Sequence, residues 1–300
     1  MLKLGKLCGV FAPVPTPFHT DETLDLVSWE DNLFQWKNSA LDGIVIAGSN
    51  GEMPFIDIEE RVKLTQAAAK VCRGVKHIMT GAYFASEAKT VEAAKRLADA
   101  GADSLLLLPP HYFKGNNAAI LKFYLDVADN SPLPLFLYNM PKNTGVDLTE
   151  EVILQAAAHP NIHGIKDTSG DMSKIGFTAS KAPKDFAVFG GTGNWFLAAL
   201  SMGACGGTMA VSILFPRACR RLYDDFCEGR LTEALEIQKR LLPVSDVITR
   251  RYGVPGLKHA LARRGMAGGS CRRPLLPITD EDKKTIDAVI EASGLADYEK

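Results

Sequence analysis

Short apolar runs alternate with helical patterns along nearly the whole chain, and no other feature constrains the fold as tightly. Residues 9–14, 43–47, 77–81, 103–108, 134–138, the run 161–168, 186–190 and 206–210 read as strands. Between them, residues 24–37, 58–72, 86–100, 117–128, 149–157, 173–180 and 195–202 read as helices, with Ser86 as an N-cap and Gly101 just past its helix. Continuous apolar strands separated by helices require a parallel sheet covered on both faces. Eight such units predict an α/β protein closed into a (β/α)8 TIM barrel. The open doubly wound alternative would carry a Gly-rich turn after the first strand, and Pro13-Val14-Pro15-Thr16-Pro17 stands there instead. After the eighth strand only helical patterns follow, at 216–228, 231–251, 254–264 and 280–292, with a loop at 266–270. We therefore expect residues 1–228 to form the barrel and residues 229–300 a C-terminal helical extension.

Composition narrows the function classes. The 300 residues carry a net charge of -1, so no electrostatic footprint for nucleic acid or an anionic membrane is present. Cys8, Cys72, Cys205, Cys219, Cys227 and Cys271 are scattered, with no C-x-x-C and no paired histidine, which argues against both a zinc site and a disulfide framework. That usage suggests a reducing compartment. The N-terminal residues are too few and too polar for a signal peptide, and no apolar run approaches the roughly 20 residues of a transmembrane helix. A cytoplasmic protein acting on a small molecule is expected, with no metal.

In a barrel of this kind the active site lies on the loops after the strands. The run Asn161-Ile162-His163-Gly164-Ile165-Lys166-Asp167-Thr168 places a lysine inside an apolar strand. Burying an ammonium disfavours its charged form, and a neutral amine can attack a ketone. The ordinary alternative is a buried stem whose head reaches solvent. Gly48-Ser49-Asn50-Gly51-Glu52, after strand two, reads as a nest for a carboxylate or as a plain Gly-rich turn. Tyr138, ending strand five, reads as a proton-relaying phenol or as a core tyrosine with its hydroxyl at the rim. Gly190-Gly191-Thr192-Gly193, after strand seven, reads as a phosphate loop or as a place of close packing and substrate access.

Together these motifs resemble the dihydrodipicolinate synthase and N-acetylneuraminate lyase family of class I pyruvate aldolases. Pro17-Phe18, Gly48-Ser49-Asn50-Gly51-Glu52, Tyr138-Asn139-Met140-Pro141 and Gly164-Ile165-Lys166-Asp167 follow the family's order and spacing over nearly the whole chain. The resemblance implies that Lys166 forms the Schiff base and that Tyr138 relays protons. It implies that Ser49 and Asn50, with Gly48, hold the pyruvyl carboxylate, and that Asn143, Thr168 and Gly191 line the substrate site. Tyr112 matches a tyrosine that the family inserts into a neighbouring subunit's site, which implies a homotetramer built as a pair of tight dimers. No cofactor is implied beyond the covalent Schiff base on Lys166.

Two departures separate the chain from the synthase branch. That branch has Thr-Thr where Ser49-Asn50 stands, and an arginine for the second substrate's carboxylate where Asn143 stands. The pattern is nearer the 4-hydroxy-2-oxoglutarate aldolase branch, which it also resembles in Asn143-Thr144-Gly145, in Lys166-Asp167-Thr168, in residues 249–258 and in residues 271–275. The resemblance implies cleavage of a 4-hydroxy-2-oxo acid, foremost 4-hydroxy-2-oxoglutarate, to pyruvate and glyoxylate. Dihydrodipicolinate synthase is the alternative, a sugar-acid or sialic acid lyase the third. A barrel that binds without catalysis belongs to a different class, and the presence of Lys166 and Tyr138 argues against it.

Overall fold

A computed structural model describes residues 5–113 and 115–300. Eight parallel strands close into one barrel in chain order: β1 Gly9–Pro13, β2 Gly43–Ile46, β3 His77–Gly81, β4 Ser104–Leu107, β5 Leu135–Asn139, β6 Ile162–Asp167, β7 Ala187–Gly190 and β8 Gly206–Thr208. Every strand except the first residue of β3 and one residue of β6 is buried throughout, as expected for a sheet covered by helices. The barrel interior is filled by side chains. Phe189 packs edge-on against Phe11 (5.2 Å between centroids) and Phe136 (6.4 Å). Glycines face these rings, and a Cβ at Gly43 or Gly164 would lie 2.2 Å from Phe11 or 2.6 Å from Phe136. The apolar strands thus use large and small residues against each other to fill the taper.

The covering helices start where the sequence offers side-chain caps. α1 (Leu26–Lys37) is capped by Asp25, α2 (Ile58–Cys72) by an Asp57–Glu60 capping box and α3 (Glu87–Ala100) by Ser86. α4 (Asn117–Asn130) is capped by Asn116. A helical turn α5 (Pro141–Thr144) follows β5, then α6 (Glu150–Ala157) capped by Thr149, α7 (Met172–Lys181) capped by Asp171 and α8 (Phe196–Ser201). Each cap oxygen accepts an otherwise orphaned backbone N–H at the helix start. After β8 come α9 (Val211–Leu214), α10 (Pro216–Cys227), α11 (Leu231–Asp246), α12 (Gly253–Arg263) and α13 (Asp280–Ser293).

Three places differ from the sequence reading. The single helix expected over 231–251 stops being α-helical at Asp246, and Val247–Arg251 form a π-helical turn. Pro243 lies in the last turn of α11 and cannot donate the ladder hydrogen bond. The turns α5 and α9 were not expected, because four residues are too few to show a helical period. β8 ends at Thr208, two residues short of the expected strand, and the apolar run that continues it belongs to α9. No described helix is long and apolar enough to cross a membrane.

Candidate active site

β5 and β6 are neighbours in register, with Tyr138 opposite Lys166 and Asn139 opposite Asp167. Adjacent parallel strands therefore carry the phenol and the amine to the same height. The Lys166 Nζ lies over the Tyr138 ring, 4.3 Å from its centroid. The lysine is only 5% exposed, and no carboxylate lies within 4 Å of its amine among the described residues. The Tyr138 hydroxyl is 3.2 Å from Ser49 Oγ, which arrives on the loop after β2. Amine, phenol ring and serine hydroxyl thus line up from β6 through β5 to the loop after β2.

A cavity of about 430 Å³ opens above this line. Ser49, Asn50, Tyr138, Asn143, Lys166, Thr168 and Gly191 all line it, so seven residues scattered over 140 positions converge. Gly48 does not reach it. Its carbonyl accepts from the N–H groups of Gly51 and Met53, and the Glu52 N–H bonds to the Ser49 carbonyl, so much of the loop's backbone closes its own turn. The N–H groups of Gly48, Ser49 and Asn50 have no backbone acceptor among the described residues, and of these three only Ser49 and Asn50 line the cavity. The Asn50 carboxamide donates to the Pro13 carbonyl at 3.1 Å, which ties this loop to β1.

Thr168 and Gly191 meet at the cavity wall. The Gly191 N–H donates to the Asp167 carbonyl at 2.7 Å, and a Cβ on Gly191 would lie 2.3 Å from Thr168 Oγ1. Close packing against the exit of β6 is thus what requires glycine here. Thr168 Oγ1 is buried without a hydrogen-bond partner, so the cavity wall holds one unsatisfied hydroxyl. Tyr112 stands apart from its own chain's cavity, 82% exposed and packed edge-on against the equally exposed Phe113.

Several residues that position the site were not foreseen from sequence. Asn139 Nδ2 donates to Asp167 Oδ2 (3.0 Å) and Asp147 Oδ1 (2.8 Å), and its own Oδ1 accepts from the Leu148 N–H. Lys174 Nζ pairs with Asp147 at 2.5 Å, and the Ser169 N–H donates to Asp167 at 2.7 Å. This network holds the two residues flanking the Tyr138–Lys166 pair in fixed rotamers. The loop after β2 is held separately. Glu52, with left-handed φ of 60°, turns away from the cavity to pair with Lys258 on α12 at 2.5 Å and to accept from the Arg272 N–H. Arg61, on α2, donates to the carbonyls of Met53, Ile56, Gly81 and Tyr83, and burial lowers its pKa to about 10. A run of four carbonyls around one guanidinium has no sequence signature.

The C-terminal part of the chain adds Thr249, Arg250, Gly253 and Val254 to the lining, which also includes Lys142 and Asn143 of α5. The cavity lining carries three cations, Lys142, Lys166 and Arg250, and no aspartate, glutamate, histidine or cysteine.

Comparison with known proteins agrees with this architecture. A model of the dihydrodipicolinate synthetase family matches residues 6–293. A 4-hydroxy-tetrahydrodipicolinate synthase of Methanothrix thermoacetophila is 33% identical over 290 residues, 96% of this chain and 97% of that protein. A probable mitochondrial 4-hydroxy-2-oxoglutarate aldolase of Emericella nidulans is 32% identical over 292 residues, 95% of this chain and 94% of that protein. Among solved structures, a putative dihydrodipicolinate synthase from Thermus thermophilus is 37% identical, covers 96% of this chain and 99% of its own, and superposes with a TM-score of 0.87.

Proposed function

The chain belongs to the dihydrodipicolinate synthetase family, whose members are lyases and aldolases, and from that premise we propose that it cleaves 4-hydroxy-2-oxoglutarate to pyruvate and glyoxylate through a Schiff base on Lys166. The observation that carries the reading is a cavity lined by cations without a single acid. A substrate with two carboxylates and no amine suits that lining. Aspartate semialdehyde, the second substrate of the synthase reaction, carries an ammonium, and this cavity offers no carboxylate to receive it. Asn143, which lines the wall where the synthase branch has an arginine, points the same way.

The chemistry follows from the placement of the groups. The Lys166 amine adds to the C2 ketone and water leaves, giving an iminium. Ser49 and Asn50 hold the adjacent carboxylate, with their free backbone N–H groups as donors. A base takes the 4-hydroxyl proton, the C3–C4 bond breaks, and its electron pair moves into the iminium to give an enamine and glyoxylate. Protonation at C3 and hydrolysis then release pyruvate and the free amine. Tyr138, hydrogen-bonded to Ser49, is the proton carrier next to the reacting carbon. Thr168, on the loop after β6, is part of the same lining. Nothing in this sequence needs a metal or an organic cofactor.

The exposed position of Tyr112, outside its own cavity, supports its donation to a neighbouring subunit's site within a homotetramer built from tight dimers. All six cysteines are free, which fits a reducing cytoplasm. The test of the substrate assignment is a panel of 2-oxo acids assayed for pyruvate release, alongside condensation of pyruvate with aspartate semialdehyde. Cleavage of 4-hydroxy-2-oxoglutarate should exceed every other reaction in kcat/KM. Faster condensation with aspartate semialdehyde would reverse the assignment in favour of the synthase.

A further inference from the structure

We propose that Arg250 is the receptor for the carboxylate at the far end of the substrate, and so determines specificity for dianionic 2-oxo acids. The inference rests on the proposed Schiff-base chemistry but not on which 2-oxo acid is cleaved. It begins with a gap. The residue of α5 that occupies the arginine position of the synthase branch is Asn143, which carries no charge, although the cavity must still discriminate a second carboxylate if it is to select a dianion. Two other cations line the cavity besides Lys166: Lys142, beside Asn143 on α5, and Arg250, on the π-helical turn. A guanidinium presents a planar fork of donors that matches a carboxylate, whereas an ammonium is a point charge on a flexible stem.

Val247–Arg251 wind as a π-helix between α11 and α12, and Thr249 and Arg250 of this turn line the cavity wall with Gly253 and Val254 of α12. π-Helical turns are rare and are frequently found at functional sites. The turn is braced from beneath. Ser245 Oγ donates to Asn194 Oδ1 at 2.7 Å, Gln238 Nε2 donates to the Gly193 carbonyl at 2.8 Å, and Gln238 Oε1 accepts from the Leu197 N–H at 2.8 Å. These bonds fasten α11 to the loop after β7, which forms another part of the same wall. The guanidinium has one acidic neighbour within 4 Å among the described residues, Asp246, one helical turn back, whose Oδ1 is 3.2 Å from Nη1. Asp246 does not line the cavity. It therefore orients Arg250 through one nitrogen without placing a negative charge in the path of an anion. The side chain is 71% exposed, so an incoming carboxylate reaches it without displacing a buried partner.

The experiment compares two ligands of the same length, 2-oxoglutarate and 2-oxopentanoate, which differ in a terminal carboxylate against a terminal methyl. Each is titrated against borohydride trapping on Lys166, and the ratio of their apparent affinities is the readout. In Arg250→Ala the preference for 2-oxoglutarate should fall about tenfold, the low end expected for a charge-assisted contact at an exposed rim. Arg250→Lys should recover part of the preference and Arg250→Glu should lose more. Raising the salt concentration should erode the wild-type preference and leave that of Arg250→Ala little changed. A preference unchanged in Arg250→Ala, or a parallel loss for both ligands, overturns the proposal and gives the arginine a structural role only. Loss of the preference in Lys142→Ala instead would assign the receptor to α5. Failure of the substrate assignment looks different: 4-hydroxy-2-oxoglutarate would not be cleaved, while the two trapping curves would still report on Arg250.

Discussion

Two buried lysines, Lys166 and Lys258, sit over aromatic rings at the same end of the barrel and have opposite fates. The Lys258 Nζ lies 4.8 Å from the Phe18 centroid, is 3% exposed, and donates to Glu52 Oε1 and the Ser270 carbonyl, each at 2.5 Å. The Lys166 Nζ lies 4.3 Å from the Tyr138 centroid and has no hydrogen-bond or ion-pair partner among the described residues. Two further buried lysines, Lys76 and Lys174, are also anchored, on the carbonyls of Ser39 and Leu41 and on Asp147. A buried ammonium is normally paired because its desolvation is costly. The one amine left unpaired opens onto the cavity, and the ring beneath it carries a hydroxyl tied to Ser49, where the ring beneath Lys258 is a phenylalanine. The difference teaches that burial alone does not set a lysine apart: one buried amine has fixed acceptors, the other has none and shares a cavity with a phenol hydroxyl.

That contrast breaks most completely at the amine itself. Pyruvate with borohydride should add one pyruvyl mass to Lys166 and to no other lysine. Lys166→Ala should abolish both the adduct and turnover, as read by peptide mass spectrometry and a pyruvate-release assay. An adduct on Lys258 or Lys174 would collapse the distinction. A smaller loss is expected when the ring beneath Lys166 is made like the ring beneath Lys258. Tyr138→Phe should lower kcat by about 10²–10⁴-fold, the range for losing a general acid–base, while trapping of the imine persists. Tyr112→Phe should fall in the same range if its hydroxyl completes a partner's site. Hybrids of inactive Lys166→Ala and Tyr112→Phe protomers should then regain activity, and exchanged hybrids that stay inactive would confine the site to one chain.

The smallest effect on catalysis and the clearest one on folding belong to the other lysine. Lys258→Met leaves Glu52 buried and unpaired, which should cost about 3–5 kcal/mol of stability in denaturant unfolding. Adding Glu52→Gln should return part of it, since the orphaned charge is then gone. A Lys258→Met protein as stable as the wild type would show that the pair is not what holds the β2 loop to α12.

Much of this organisation was open to reading in the linear chain, and the reasons are local. Eight apolar runs between amphipathic helices leave few arrangements that bury both faces of a sheet, so the barrel followed from periodicity. Lys166 and Tyr138 stood out because a charge or a phenol at the end of an apolar run is anomalous within its own few residues. Ser49, Asn50, Asn143, Thr168 and Gly191 lie in short motifs after strands, where a barrel puts its chemistry. The reading failed where the deciding partner is far away along the chain. Glu52 belongs to a motif that reads as a carboxylate nest, yet its partner is 206 residues distant and it serves to clamp the loop. Gly48 was expected at the ligand but does not line the cavity, since which residues of a loop reach a cavity depends on how the loop is held.

The sequence by itself determined the element types, their order and the position of the amine, because these depend on hydrophobic periodicity and on single residues out of keeping with their surroundings. The tertiary structure alone decided which buried lysines are paired and which is left without a partner, because pairing is a matter of a few ångströms between segments that periodicity treats as independent. It likewise decided that Arg250 lines the cavity, since that wall is assembled from segments far apart along the chain.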